Sequence, residues 1–214
     1  MNAVPAFLPR TPAPWADIVP DSGPVSPDIL LTTPDDGYVY EVVEGVLVRV
    51  AGSGEEATSI GVDLCAALHT YVRPRRLGVV TGADGVYIFA GAKTGLVPDV
   101  GFYLAERRSS MVDRTKPIPF APDLAVEVAS PDQSPRALAA KARKYLRAGT
   151  RIVWVIWPQS EHIDVWHTEV LTAPVRYLGI TVTLDGEEVI PGFSYPLATL
   201  FSDPLAPEVP DDES

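Results

Sequence analysis

Three charged residues of this chain sit where packing alone would not ask for charge: Asp99, Glu127 and Lys141. Glu127 lies inside Leu124-Ala125-Val126-Glu127-Val128-Ala129, an apolar run of strand length. Side chains alternate across a strand, so Leu124, Val126 and Val128 share one face and Ala125, Glu127 and Ala129 the other. The acid is flanked on its own face by two small residues. In the run from Asp99 to Leu104, Val100, Phe102 and Leu104 share a face, and Asp99, Gly101 and Tyr103 share the opposite one. Again the near neighbour of the acid is small. A buried, isolated carboxylate is costly and takes a partner, a proton or a metal. Strand faces cleared of bulk leave room for an ion or a substrate. The alternative is the polar face of a half-exposed strand, and alternation by itself does not choose between the two.

The next element supplies a cation. At about 100° per residue, Leu138, Ala142, Tyr145 and Leu146 form the apolar stripe of a helix. Lys141 lies at the border of that stripe, whereas Arg143, Lys144 and Arg147 point farther away. Lys141 is therefore the cation best placed to reach the sheet. The competing reading is snorkelling, in which its stem packs and its ammonium reaches water. An Asp, a Glu and a Lys converging on one sheet face is the chemistry of metal-dependent phosphodiester cleavage. The carboxylates hold Mg²⁺ through hard oxygens, and the lysine orients or activates water and offsets charge on the scissile phosphate. The other candidates are weaker. Cys65 has no base signalled nearby, and His69, His162 and His167 form no metal spacing. No phosphate loop, dinucleotide fingerprint or nucleophile elbow is present.

The elements that must position these residues are legible in outline. Tyr38 to Val43 and Val46 to Val50 read as strands joined at Glu44-Gly45, a tight-turn dipeptide. Ile60, Leu64, Ala67, Leu68 and Tyr71 follow at helical spacing, and Arg73-Pro74-Arg75-Arg76 ends that helix. Gly78 to Gly82 and Val86 to Ala90 read as a hairpin around Ala83-Asp84-Gly85, and Val97 to Leu104 as one strand. Pro135 to Ala148 is the clearest helix, with Ser134 as cap, Pro135 in its first turn and Gly149 at its end. Ile152 to Trp157 is a strand buried on both faces, paired with Ile163 to His167 as a hairpin. The sum is an α/β domain with a mixed central sheet, flanking helices and extra β-hairpins.

The 214 residues suffice for one domain with tails. The net charge of -11 is unevenly spread. Residues 1–37 carry five acids and one base, and residues 203–214 carry five acids and no base. Residues 133–160 hold Arg136, Lys141, Arg143, Lys144, Arg147 and Arg151 and no acid. That stripe suits a phosphate backbone, or else a solvated helix face. The first 34 residues hold eight of the 22 prolines, which predicts an extended, poorly packed arm over 1–37. The domain then runs over 38–202, followed by an acidic tail over 203–214. The longest apolar run is far short of a membrane span, the N-terminus lacks a secretory pattern, and the single cysteine excludes an internal disulfide. A cytoplasmic location without membrane contact follows as the expectation. A well-ordered arm would instead wrap a neighbouring subunit, so a homodimer is compatible with the sequence.

These features, in this order, resemble the Uma-two family of restriction-endonuclease-like proteins within the PD-(D/E)xK nuclease superfamily. The resemblance begins at Tyr40-Glu41-Val42-Val43-Glu44-Gly45-Val46-Leu47 and continues through Leu96-Val97-Pro98-Asp99-Val100-Gly101-Phe102. It is strongest in Ala121-Pro122-Asp123-Leu124-Ala125-Val126-Glu127-Val128-Ala129-Ser130-Pro131. Lys141, Tyr145, Ala148-Gly149, Val153-Trp154-Val155-Ile156, Pro191-Gly192-Phe193 and Leu200-Phe201 complete it. The resemblance implies a restriction-endonuclease-like core. Asp99 matches the Pro-Asp aspartate, Glu127 the second acid and Glu44 the acid of the opening hairpin. Asp99 and Glu127 would be the metal ligands, with Mg²⁺ or Mn²⁺ as cofactor and DNA as substrate. The superfamily's usual lysine position, two residues after the second acid, is Ala129 here, which points to Lys141 from the next helix. The histidine common near the start of the first long helix is absent from Glu55-Glu56-Ala57-Thr58. The expected function is a metal-dependent endodeoxyribonuclease. The alternative is a non-catalytic nucleic-acid-binding or assembly protein on the same fold.

Overall fold

Alternating apolar residues build two main sheets of unequal size beside a separate two-stranded one, and the two long helices pack against the largest. The computed structural model describes residues 13–20, 22–91, 93–203 and 205–206. The first half carries β1 (Asp17–Ile18), β2 (Tyr38–Val43), β3 (Val46–Ala51), helix α1 (Glu55–Arg75), β4 (Gly78–Thr81), β5 (Tyr87–Phe89), β6 (Thr94–Leu96) and β7 (Val100–Leu104). The second half carries β8 (Leu124–Val128), helix α2 (Pro135–Arg147), β9 (Ile152–Trp157), β10 (His162–His167), β11 (Val170–Leu178), β12 (Thr183–Asp185), β13 (Ser194–Pro196) and the short helix α3 (Leu197–Leu200).

The central sheet has the order β11-β10-β9-β8-β7-β4. Its β8–β9 pair is parallel and its other pairs are antiparallel, so the sheet is mixed. A parallel pair needs a crossover, and α2 provides it. The smaller sheet, β1-β3-β2-β6-β5, is antiparallel throughout.

Both faces of the central sheet are buried. On one, Val100, Phe102, Leu124, Val126, Trp154 and Ile156 pack against Ile60, Leu64, Leu68 and Val72 of α1. On the other, Tyr103, Ala125, Ala129, Val153 and Val155 meet Leu138, Ala142, Tyr145 and Leu146 of α2, together with Val43, Val48, Tyr87 and Phe89 of the smaller sheet. This double burial explains the unbroken apolarity of β9. The helices begin and end as their sequences predict. The Ser134 side chain accepts the Ala137 N–H at 3.2 Å. The β2–β3 turn uses Glu44 and Gly45 with φ of 54° and 81°, the left-handed pair that a two-residue hairpin requires.

Two expectations about strand pairing are corrected. Val97 to Leu104 is not one strand. Thr94–Leu96 pairs in the smaller sheet, Val100–Leu104 pairs in the central one, and Val97-Pro98-Asp99 crosses between them. Pro98 has no N–H to give a ladder, so pairing breaks there. The hairpin around Ala83-Asp84-Gly85 does not form either, because β4 joins β7 and β5 joins β6. Tyr87 is thereby fully buried over Gly101, where a Cβ would collide with its ring.

The described part of the N-terminal arm is packed rather than free, and it packs on its own chain. Ala13 and Trp15 are buried, and β1 pairs with β3. The Val25 N–H donates to the Gly45 carbonyl, and Leu30 joins Tyr40, Val42 and Leu47 in a small apolar cluster. Prolines remove donors from this segment, but the residues between them keep enough to line the free edge of β3. Residues 1–12 and most of the acidic tail lie outside the described residues. Among the described residues, no helix is long and apolar enough to cross a membrane.

Candidate active site

The site grows from β8. Ala125 and Glu127 turn towards α2, as alternation predicts, and both are buried. The β7–β8 register pairs Val100 with Val126, so Asp99 stands opposite Glu127, one step beyond the last paired residues. Asp99 is fixed there by the backbone: its Oδ2 accepts the Val128 N–H at 2.7 Å. Helix α2 then lowers Lys141 onto the sheet. Its Nζ lies 2.8 Å from Glu127 Oε2 and 2.9 Å from Glu41 Oε1. Lys141 is only 4% exposed, so its ammonium does not reach water and the snorkelling reading fails. One turn farther on, the Tyr145 hydroxyl donates to Glu127 Oε1 at 2.9 Å.

Glu41 was not among the expected site residues; the structure brings it into this cluster and leaves Glu44 outside it. The period of two in β2 puts Glu41 and Val43 on the face towards the central sheet, while Tyr40 and Val42 face the arm. Glu44 falls beyond the strand, in the turn. Its side chain is exposed and pairs with Lys144 Nζ at 2.6 Å. Glu41 is fully buried, and its Oε1 also accepts the Val97 N–H at 3.1 Å. Its signal in the sequence was an acid interrupting a strand run, the same kind as at Glu127. Its same-face neighbours, Val39 and Val43, are bulky rather than small and so did not suggest a cleared face. Tyr145 was legible only as part of the apolar stripe.

Burial governs the electrostatics. It pushes the Glu127 carboxyl up to about 8; Lys141 opposes the rise, and Asp99 and Glu41 add to it. Burial also raises Asp99, against the pull of the Val128 N–H and Lys141. For Lys141, burial acts downward, but Glu127 and Glu41 more than reverse it and keep the ammonium charged. Burial, reinforced by Glu127, holds the Tyr145 hydroxyl well above its ordinary value, so it remains a donor.

The basic stripe of α2 is partly consumed by the fold. Arg143 Nε donates to the Leu171 carbonyl at 2.8 Å and its guanidinium lies over the Trp166 ring. Lys144 is held by Glu44, while Arg147 is exposed. On the opposite side, Asp99 borders a groove of about 630 Å³ whose wall is α1, with Ala57, Gly61 and Cys65. Of the clustered side chains, Asp99 alone lines this groove. Among the described residues, no three His, Cys, Asp or Glu side chains are grouped to hold a metal. The ammonium of Lys141 lies between the carboxylates of Glu41 and Glu127. Asp99 and Glu127, at facing register positions, are the carboxylates that could offer hard oxygens to a divalent cation.

Similar proteins agree with this architecture. A solved structure described as a putative nuclease belonging to DUF820, from Anabaena variabilis ATCC 29413, superposes with a TM-score of 0.70 at 19% identity. The match covers 83% of this chain and 98% of the other, and at that identity it carries the fold alone. No functionally curated protein matches the chain. The sequence model of the Uma2 family, described as "Putative restriction endonuclease", matches residues 27–199. The match spans most of the chain, which therefore belongs to the Uma2 family.

Proposed function

We propose that the protein is an endonuclease that hydrolyses phosphodiester bonds of DNA with Mg²⁺ or Mn²⁺ as cofactor. The observation that carries this reading is the convergence of Glu127, Lys141 and Glu41 on one face of the central sheet, with Asp99 opposite Glu127 and lining a groove. The family and the fold support the nuclease class. Asp99 and Glu127 are the residues that would hold the ion. Bound there, a divalent cation supplies a Lewis acid at the phosphate and eases ionisation of water.

The protein's own groups do the positioning. Glu41 and Glu127 fix the Lys141 ammonium and keep it protonated. An ammonium has three donors; Glu127 and Glu41 take two, and the third is left to orient the attacking water or to meet the charge that develops on the phosphate. Tyr145 holds the second oxygen of Glu127 and so fixes the carboxylate plane. The site's low exposure strengthens each of these interactions relative to water. The test is cleavage of duplex DNA with Mg²⁺ or Mn²⁺, beside Asp99→Ala. Ion-dependent cutting by the wild type, lost in the variant, is expected. A wild type that binds DNA without cutting under either ion would make the protein a non-catalytic binder on a nuclease fold.

A further inference from the structure

Glu41 is held on three sides, and one of its three donors comes from outside the segment that matches the family. The Trp15 indole N–H donates to Glu41 Oε2 at 2.7 Å, and both side chains are buried. The family match begins at residue 27. The remaining donors, Lys141 Nζ and the Val97 N–H, both go to Oε1. Each Glu41 oxygen thus has its own donors, and the carboxylate cannot rotate without losing one set.

The segment that delivers Trp15 is anchored independently of that hydrogen bond. Asp17 and Ile18 pair with Arg49 and Val48, and the Val19 N–H donates to the Leu47 carbonyl at 3.0 Å. Ala13 is fully buried in the core that also contains Ala137, Leu138 and Tyr145 of α2. The indole is therefore a preplaced donor, and its ring fixes where Oε2 must lie. With Oε2 fixed, Oε1 points at Lys141. The same Oε1 holds Val97, two residues before Asp99, so the orientation of Glu41 bears on the crossing segment that carries Asp99 as well.

We propose that Trp15 is a positioning residue of the active site: through Glu41 it sets the place of the Lys141 ammonium. The N-terminal segment is then part of the site rather than an appendage. This rests on the nuclease reading for its effect on cleavage, though the placement of Lys141 can be measured without it. Partners that orient the residues of a metal site contribute about 10- to 100-fold to activity, and Trp15 is expected to act on the same scale.

The experiment uses the full chain with Trp15→Phe, which keeps a ring in the core and removes the donor. Ile18→Ala, on the exposed side of the same segment, is the control for general disturbance. Single-turnover cleavage of saturating duplex DNA is read beside DNA affinity in Ca²⁺. The Lys141 ammonium is followed by NMR of protein labelled with ¹⁵N at lysine Nζ. The expected result is a cleavage rate about 10- to 100-fold lower in Trp15→Phe with DNA affinity unchanged. The protected ammonium signal should shift or broaden, and Ile18→Ala should behave as wild type. The rate loss should also vanish when Trp15→Phe is made in a Glu41→Gln background, since the indole would act only through that carboxylate. Normal cleavage by Trp15→Phe beside an active wild type would overturn the inference and leave the nuclease reading standing. An inactive wild type whose ammonium signal still responds to Trp15→Phe would sink the nuclease reading and uphold the positioning role. An unchanged ammonium signal would overturn that role whatever the activity.

Discussion

Lys141 reaches Glu127 from the helix that follows it, Nζ to Oε2 at 2.8 Å, over a strand end that carries Ala129 two residues past the acid. The two facts belong together. Ala125 and Ala129 are the small residues on the sheet face beneath α2, where they share one buried cluster with Tyr145, Leu138 and Ala142 of that helix. A lysine at position 129 would come from the strand itself and would have to displace that packing. The cation has the same neighbour by a different route, and its position is tied to how α2 docks.

Removing that cation should cost both activity and stability. Lys141→Met should abolish cleavage. It leaves Glu41 and Glu127 buried without their ammonium, a loss of about 3–5 kcal/mol in comparable pairs. Methionine preserves the stem packing, so the destabilisation is electrostatic in origin. Urea melts of Lys141→Met and of Lys141→Met/Glu127→Gln check this. The double variant should recover part of the stability and none of the cleavage.

The metal-free protein should lose stability as pH rises through the neutral range. The Glu127 carboxyl titrates near about 8 when folded and near its ordinary 4.5 when unfolded. Between those values the folded state holds a proton that the unfolded state has released, so each step up in pH favours unfolding. The decline should begin above about 4.5 and level off above about 8. Urea denaturation in EDTA from pH 5 to 9 measures it, and Glu127→Gln should flatten the slope. A stability that rises across this window in wild type would contradict the burial of Glu127 as an acid.

The N-terminal segment should resist proteases. Its residues from 13 to 34 contribute buried side chains and strand hydrogen bonds, so limited proteolysis should not cut between them while the domain is folded. Deleting residues 1–25 should lower the melting temperature by several degrees, at about 2–4 °C for each 1 kcal/mol lost in a domain of this size. Cleavage within the segment at native temperature, with the domain left intact, would refute its docking.

Arg143 and Arg147 should separate structure from DNA contact. Arg143→Ala should destabilise the fold by about 1 kcal/mol or more, through loss of its bond to the Leu171 carbonyl and its contact with Trp166. Arg147→Ala should leave the melt unchanged and, if α2 faces the backbone, lower the salt slope of DNA binding by about one. Thermal melts beside salt titrations of affinity distinguish the two. Equal stability loss in both variants would show that Arg147 is structural too.

Local patterning determined much of this protein. Period two in β8 exposed Glu127 as an acid among small neighbours, and period 3.6 in α2 brought Lys141 to the edge of the stripe. The Glu44-Gly45 turn and the Ser134-Pro135 helix start needed only the local chemistry of a left-handed pair and a cap. Tertiary structure decided the rest, because it depends on which strands pair. Pattern could not show that Thr94–Leu96 and Val100–Leu104 enter different sheets, since only Pro98 marks the break between them. It is the folding of the smaller sheet over the larger that turns Glu41 inward and leaves Glu44 in solvent. Prolines made residues 13–34 read as an unpaired arm, yet the open edge of β3 accepted the few donors they left. A carboxylate's partner is chosen by the surfaces that close over it, and those surfaces come from residues far apart in the chain: Trp15, Glu41, Val97, Glu127 and Lys141.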